Sequence, residues 1–158
     1  MSTRLVSAAL ALLVLLPACS RKQSDEEQIR TLVTSAVHAA EEKRVGDVMD
    51  VVSERFTGEG LDKRGVKQLV AFHVLRESWV ALTVSGDQIA VQGDAATATV
   101  DVVMIRSGPG RKLAELLPHQ ATVHRFDLKL NREDGDWKVT SAEWRPISLE
   151  AAVDGPPP

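Results

Sequence analysis

The sequence predicts an α+β domain in which helices come first and an antiparallel sheet follows. From Asp25 to about Glu77 the apolar residues recur at spacings of three and four, as in a helix, whereas from Trp79 onward they alternate with a period of two. The chain has 158 residues, 44% hydrophobic and 26% charged, which is enough for one domain with one core. A block of helices followed by a block of strands is the α+β order.

The first eighteen residues form a leader that differs from the rest of the chain. Arg4 precedes a largely apolar run from Leu5 to Leu16. This run is shorter than the roughly twenty residues that a helix needs to cross a bilayer, and a strongly polar segment follows it. The sequence therefore predicts a signal peptide over residues 1–18 rather than a permanent transmembrane helix.

The segment Leu16-Pro17-Ala18-Cys19 resembles the lipobox of bacterial lipoproteins, with an apolar residue three positions before a cysteine and a small residue directly before it. The resemblance implies cleavage before Cys19, transfer of diacylglycerol to its sulfur, and acylation of the new amino group by a chain such as palmitate. A thiolate is the soft nucleophile that this transfer needs. Cys19 is the sole cysteine, so no intramolecular disulfide competes for it. The alternative is an ordinary signal peptide that ends near an unrelated cysteine.

Lipidation would hold the protein in the cell envelope, with residues 19–24 as a short tether. Ser20 resembles the residue found in lipoproteins that are sorted to the outer membrane of diderm bacteria, so we expect a domain that faces the periplasm from there; the inner membrane is the alternative. Loss of Arg4, the only charged leader residue, leaves 18 of the 19 basic residues against 22 acidic ones. This acidic balance argues against nucleic acid as a partner.

Three helices are predicted before the sheet. The first, Asp25 to Arg44, has acidic residues in its first turn, basic residues in its last, and an apolar face made of Ile29, Leu32, Val33, Ala36, Val37 and Ala40. Gly46 interrupts this pattern, and Asp47 is predicted to cap a second, shorter helix that ends near Phe56. Asp62 is predicted to cap the third helix, whose inward stripe is Val66, Leu69, Val70, His73 and Val74.

The second half of the chain is predicted to form a meander of strands. Alternation predicts strands from Trp79 through Val91, from Ala95 to Ile105, from Ala121 to Asn131 and from Trp137 to Ile147. The hinge Gly93-Asp94 joins the first two, and the turn from Glu133 to Asp136 joins the last two. A loop with a short helical piece, Lys112 to Leu117, lies between the two pairs.

This order of elements resembles the nuclear transport factor 2-like superfamily, through Val91-Gln92-Gly93-Asp94-Ala95-Ala96-Thr97 in one hairpin and Gly135-Asp136-Trp137-Lys138-Val139 in the last. The resemblance covers residues 25–147 and implies a curved, cystatin-like antiparallel sheet wrapped around the long helix, forming a cone with a pocket. Residues 148–158 are predicted to be a disordered tail. The superfamily includes isomerases, dehydratases, ring-hydroxylating subunits and many non-enzymatic periplasmic domains, so the resemblance leaves the activity open.

Alternation along the strands predicts which side chains face the pocket. In the strand over 121–131 the inward set is His124, Phe126, Leu128 and Leu130, and the outward set is Arg125, Asp127 and Lys129. In the strand over 95–105 the inward set is Ala96, Ala98, Val100, Val102 and Met104, which leaves Thr97, Thr99 and Asp101 outside. We therefore predict a pocket lined by His73, Met104, His124, Phe126 and Leu128.

Few of these side chains can carry chemistry. His73 and His124 could act as acid and base in one cavity, but hydrogen-bonded core or rim histidines are the simpler interpretation, and two histidines without a third ligand do not define a zinc site. Superfamily enzymes that isomerise or dehydrate generally need a cavity carboxylate, often with a tyrosine. The chain has no tyrosine, and with Asp101 and Asp127 facing outward only Glu143 remains as a candidate. We expect no metal and no cofactor.

The resulting hypothesis is a membrane-anchored lipoprotein whose domain is a non-enzymatic binding or scaffolding module, with a small apolar ligand or an envelope protein as partner. The alternative is a small-molecule enzyme of the isomerase, dehydratase or hydrolase type that uses His73 and His124. Thr97, Thr99 and Val103 would give the outer face of the sheet a polar surface, so we expect a monomer or a weak homodimer.

Overall fold

The computed structural model describes residues 23–76, 79–106 and 121–156. The predicted signal peptide, Cys19, and the helical piece predicted at Lys112 to Leu117 lie outside these residues. Within the described part, the helices are α1 Asp25–Glu41, α2 Val45–Asp50, α3 Lys63–Arg76 and α4 Leu149–Val153. Three helices thus precede the sheet and a fourth, which the sequence did not predict, follows it. None of these described helices has the length and apolar character needed to cross a membrane.

Short polar side chains begin the two longer helices. The Ser24 hydroxyl accepts a hydrogen bond from the Glu27 amide at 3.2 Å, and the Glu27 carboxylate accepts one from the Ser24 amide at 3.0 Å, which forms a capping box. The Asp62 carboxylate accepts a hydrogen bond from the Gly65 amide at 2.8 Å, as expected of the residue that caps α3.

The start of α2 differs from the prediction. Asp47 was expected to cap this helix, but α2 begins at Val45, and Asp47 lies in its first turn, where it forms an ion pair with Arg44. The reason lies just upstream: Lys43 adopts a left-handed backbone conformation, with φ of 61°, which ends α1 before Arg44 and lets the next helix start early.

The described residues form six strands: β1 Thr57–Gly58, β2 Leu61–Asp62, β3 Trp79–Gln92, β4 Ala95–Arg106, β5 Ala121–Glu133 and β6 Asp136–Ile147. The first two form a short ribbon, and the other four form an antiparallel meander in the order β3-β4-β5-β6. The register shifts within β3 between Val84 and Gly86, where it pairs with β4, and within β5 between Lys129 and Leu130, where it pairs with β6. Irregularities of this kind bend a sheet, so they account for its curvature.

The hydrophobic core lies between the helices and the concave face of this sheet. Its helical side includes Ile29, Val33, Met49 and Val66, and its sheet side is made of Ala96, Ala98, Val100, Val102, Leu130, Trp137 and Val139. The inward set predicted for β4 is buried from Ala96 to Val102, whereas in the set predicted for β5 Leu130 is buried and His124, Phe126 and Leu128 are half-buried. All residues of this core lie between Ile29 and Val139, so the chain from Ser20 to Pro158 contains the whole of the described core.

Residues 148–156 are ordered, contrary to the disorder predicted for this tail, while residues 157 and 158 lie outside the described residues. The Ser148 hydroxyl accepts a hydrogen bond from the Ala151 amide at 3.1 Å and so caps α4, which packs against β3 and β5 with Ala152 buried. The tail is held on the outer face of the sheet because the Arg125 guanidinium donates to the carbonyls of Ala151 at 3.3 Å and Gly155 at 3.1 Å.

Candidate functional site

An apolar cavity of about 360 Å³ lies between the helices and the concave face of the sheet. Its volume is at the lower end of the roughly 300–1,000 Å³ of small-molecule sites. Its helical wall includes Leu32, Val33, Ala36, Val37 and Ala40 of α1 and Val66, Leu69, Val70, His73 and Val74 of α3. Its sheet wall includes Val100, Val102, Met104, Arg106, His124, Phe126, Leu128, Val139, Ala142 and Trp144.

The five residues predicted to line a pocket all line this cavity: His73, Met104, His124, Phe126 and Leu128. The reason is local in each case. His73 follows Val70 by one helical turn, and the β4 and β5 residues share one face because strand side chains alternate. The two imidazoles therefore belong to one site, with His73 exposed and His124 half-buried.

Arg106, the last residue of β4, also lines the cavity and was not among the predicted lining residues. Strand alternation could have predicted this position, because one face of β4 carries Val102, Met104 and Arg106 in turn. The predicted strand ended at Ile105, one residue before Arg106.

The structure places the remaining candidate, Glu143, away from the cavity. Its neighbours Ala142 and Trp144 line the cavity, whereas Glu143 is exposed and pairs in register with Asp127, on the outward face of β5. Among the described lining residues there is no carboxylate, hydroxyl or thiol side chain. Within the same ranges, no group of three His, Cys, Asp or Glu side chains is arranged to hold a metal ion.

The outer face of the sheet carries a buried ion pair. Asp101 and Arg125 are register partners, and two parallel hydrogen bonds of 2.7 Å join the Arg125 Nε and Nη2 to the two Asp101 oxygens. Asp101 was predicted to lie outside the pocket and does, but it has no exposed surface, since the C-terminal segment covers it. Hydrogen bonding to Asp101 raises the pKa of Arg125 above its ordinary value.

A second polar cluster continues this face. Asp127 accepts a hydrogen bond from the Thr99 hydroxyl at 2.9 Å and pairs with Arg145. Burial alone would raise the pKa of Asp127, but the hydrogen bonds from Arg145 and Thr99 lower it below its ordinary value. The outer face therefore carries these paired charges, and none of its described residues lines the cavity.

Comparison with known proteins identifies the fold. No protein-family model and no curated protein matches the chain. Among solved structures, it is similar to an NTF2-like protein from Cytophaga hutchinsonii, with a TM-score of 0.62 and 14% identity over 79% of this chain and 100% of that one. It is also similar to a Nostoc punctiforme protein of unknown function with a cystatin-like fold, with a TM-score of 0.63 and 10% identity over 79% and 92% of the two chains.

A third similar structure is Bd1075 from Bdellovibrio bacteriovorus, with a TM-score of 0.61 and 12% identity over 75% of this chain. The chain spans only 40% of the length of that protein. At identities this low the likenesses establish architecture and carry no activity with them. The curved four-stranded sheet, the helices on its concave face and these structural neighbours together show that the chain has the NTF2-like, cystatin-like α+β fold.

Proposed function

We propose that this protein is a lipid-anchored binding module of the cell envelope that holds a small apolar ligand in its concave cavity. The observation that carries the proposal is the composition of the cavity wall. Apart from three basic side chains and the indole of Trp144, every described lining residue is aliphatic, phenylalanine or methionine. Sites that bury most of a small ligand are lined in this way, with a few polar groups that set its orientation.

Binding is favoured over catalysis because the described wall has no carboxylate, hydroxyl or thiol side chain, and its two imidazoles are the sole groups there that could transfer a proton or attack a substrate. Isomerisation or dehydration needs a base matched to its task, commonly a carboxylate held in the cavity. Glu143, the residue considered for that role, is exposed on the other side of the strand. The apolar wall is suited to removing a ligand from water.

Attachment through Cys19 is the second part of the proposal. A tether over residues 19–24 would reach at most about 20 Å, since an extended chain spans about 3.5 Å per residue. The cavity would then stay close to the membrane, where apolar molecules are concentrated. Cys19→Ser should move the protein from the membrane fraction to the soluble fraction of the envelope and abolish labelling with a palmitate analogue. Unchanged membrane retention would contradict the anchor.

Binding of N-phenyl-1-naphthylamine, an apolar dye whose fluorescence increases when it leaves water, tests whether the cavity holds an apolar ligand. The chain from Ser20 to Pro158 should bind it, and Ala36→Phe, which places a ring in the cavity wall, should weaken binding roughly tenfold, a loss of about 1.4 kcal/mol. Ala90→Phe is the matched control, because Ala90 is exposed on β3. Equal binding by both variants would mean that the dye binds elsewhere.

An enzyme remains the second candidate, because two imidazoles line the same cavity. A hydrolase of this kind would cleave a small apolar ester, and His73→Gln and His124→Gln would each lower kcat by about 100-fold or more. If hydrolysis of p-nitrophenyl butyrate is no faster in the wild type than in both variants, the enzyme hypothesis for this ester class fails. The binding proposal does not depend on the result.

We also propose that the domain is a monomer. α4 and the residues up to Pro156 pack against β3 and β5 on the outer face of the sheet, which reduces the area of that face open to a second copy, although Thr97 stays exposed. Sedimentation of the lipid-free chain tests this, and a dimer at low micromolar concentration would contradict it.

A further inference from the structure

Helix α3 has two faces of different character. One face forms part of the cavity wall and includes Val66, Leu69, Val70, His73 and Val74. The opposite face does not line the cavity, and its exposed side chains are Arg64, Lys67, Gln68, Phe72, Leu75 and Arg76. Because these six residues recur at spacings of three and four, they form one continuous stripe along the helix, which we call the outer stripe of α3.

The outer stripe contains two large apolar side chains in water. Phe72 is 51% exposed and Leu75 is 58% exposed, and the two are neighbours one helical turn apart. The Arg76 guanidinium lies 5.0 Å from the centroid of the Phe72 ring, so the apolar pair directly adjoins a basic side chain. Removing such side chains from water is favourable, and neighbouring exposed ones mark a surface that contacts another apolar phase.

The charged side chains of the outer stripe are all basic. No aspartate or glutamate occurs in α3, although the whole chain carries 22 acidic residues against 19 basic ones. Within the part of the chain that the structure describes, Arg64 and Lys67 have no ion pair. Two carboxylates contact the helix at its start, where Asp62 caps it and Glu54 pairs with Lys63 at 2.6 Å.

We propose that the outer stripe of α3 binds the surface of an anionic phospholipid bilayer, with Phe72 and Leu75 inserted among the headgroups and Arg64, Lys67 and Arg76 beside the phosphates. Helices that lie on membranes combine these residue types, because basic side chains attract anionic lipids while Phe and Leu enter the acyl boundary. The long stems of arginine and lysine let their charges stay at the headgroups while apolar neighbours insert.

Contact through α3 goes beyond the proposed function, because it gives the anchored domain a fixed orientation on the membrane. The inference rests on the proposed anchor at Cys19 only for its nearness to a bilayer. Its test uses the chain from Ser20 to Pro158, which contains no cysteine and therefore no anchor. The result is thus independent both of lipidation and of any ligand in the cavity.

Vesicles of phosphatidylglycerol and of phosphatidylcholine are the probes, and cosedimentation measures binding. The chain from Ser20 to Pro158 should bind the anionic vesicles more tightly by about tenfold or more, since each basic residue near an anionic surface contributes a factor of about five. This preference should fall as the salt concentration rises from about 0.1 M to about 1 M, which shortens the screening length from about 10 Å to about 3 Å.

Two double variants separate the basic and apolar contributions. Arg64→Gln with Lys67→Gln should weaken binding to the anionic vesicles by about tenfold or more, because both charges are lost. Phe72→Ser with Leu75→Ser should weaken binding to the same vesicles about tenfold, because the inserted apolar area is lost.

Matched controls exist on the other side of the molecule. Leu149→Ser with Val153→Ser changes two apolar side chains of α4, which are 53% and 81% exposed. Lys129→Gln removes an exposed charge from the outward face of β5. Both controls should bind vesicles as the wild type does, and circular dichroism of each variant confirms that it folds.

A fluorescent label tests the orientation directly. Leu75→Cys and Leu149→Cys each introduce one cysteine into the chain from Ser20 to Pro158, and each is labelled with acrylodan, whose emission moves to shorter wavelength in apolar surroundings. Anionic vesicles should shift the emission of the label in Leu75→Cys and leave that in Leu149→Cys unchanged.

The proposal is overturned if the chain binds neither kind of vesicle, if it binds both kinds equally, or if the α3 variants bind as their controls do. A shift in Leu149→Cys without one in Leu75→Cys would also overturn it, since another face would then contact the bilayer. Failure to bind N-phenyl-1-naphthylamine contradicts only the proposed cavity ligand, and membrane retention of Cys19→Ser contradicts only the anchor.

Discussion

The buried pair of Asp101 and Arg125 offers a quantitative test of how the C-terminal segment stabilises the fold. The substitution is Arg125→Met, which keeps much of the apolar bulk of the side chain and removes its charge. In the wild type the two hydrogen bonds of 2.7 Å satisfy an Asp101 carboxylate with no exposed surface. In the variant that carboxylate would be buried without its cation.

Removing one partner of a buried ion pair costs about 3–5 kcal/mol, because the remaining charge is out of water and uncompensated. Arg125 also donates to the carbonyls of Ala151 and Gly155, so its loss releases the segment that covers the pair. Domains of this size have unfolding free energies of about 5–15 kcal/mol. Arg125→Met should therefore remove a large fraction of the stability.

Urea unfolding of the chain from Ser20 to Pro158 measures the change, provided that the slope with denaturant stays constant. Arg30→Met is the matched control: Arg30 forms a similar two-pronged pair with Asp87, but its side chain is 50% exposed. Breaking an exposed pair should cost at most about 1 kcal/mol. The double variant Asp101→Leu with Arg125→Met should recover most of the loss, since an apolar pair leaves no unpaired charge.

Two results would refute this reasoning. One is a cost for Arg125→Met no greater than that for Arg30→Met, which would mean that water reaches Asp101. The other is a double variant less stable than Arg125→Met alone, which would mean that the unpaired Asp101 carboxylate is not the source of the loss.

Two further predictions concern packing and pH. A Cβ atom at Gly58 would lie 2.7 Å from the Ala142 carbonyl oxygen, so Gly58→Ala should destabilise the domain by about 1–3 kcal/mol in urea unfolding. Gly46→Ala is the control, since nothing lies within 4 Å of that position, and a loss equal to that of Gly58→Ala would rule out the close approach as the cause. The pKa values of Asp127 and Glu133 are both lowered in the fold, so their ionised forms stabilise it above the unfolded pKa, and this stabilisation is lost as the pH falls below about 5. The urea midpoint should fall between pH 7 and pH 3, and less steeply in Asp127→Asn; an unchanged slope in that variant would contradict the assignment.

Much of the fold could be predicted because its signals are local. The four long strands and the long first helix follow from apolar periodicity, and Asp62 caps its helix as its position before an amphipathic segment indicates. The inward sets of β4 and β5 follow from alternation alone. These patterns depend only on neighbouring residues, so they can be read without knowing which segments meet.

The predictions from sequence were wrong where the backbone conformation, or a contact with a distant segment of the chain, determines the structure. Asp47 has the chemistry of a cap, but after the left-handed conformation of Lys43 α2 starts three residues earlier, with Arg44 in the cap position. Asp101 lies on the face that alternation assigned to solvent, but the C-terminal segment, roughly fifty residues later, covers it. Periodicity assigns a side chain to a face and cannot tell what lies on that face.

For the cavity too, local sequence patterns determine some features and the tertiary structure determines others. The sequence was sufficient to select His73, Met104, His124, Phe126 and Leu128 as inward-facing, because helix and strand periods determine direction. That the two imidazoles share one cavity with Arg106, and that Glu143 is excluded from it, depends on strand register and on the packing of α3 against the sheet. These are set by contacts between residues far apart in the chain, and local sequence patterns do not encode them.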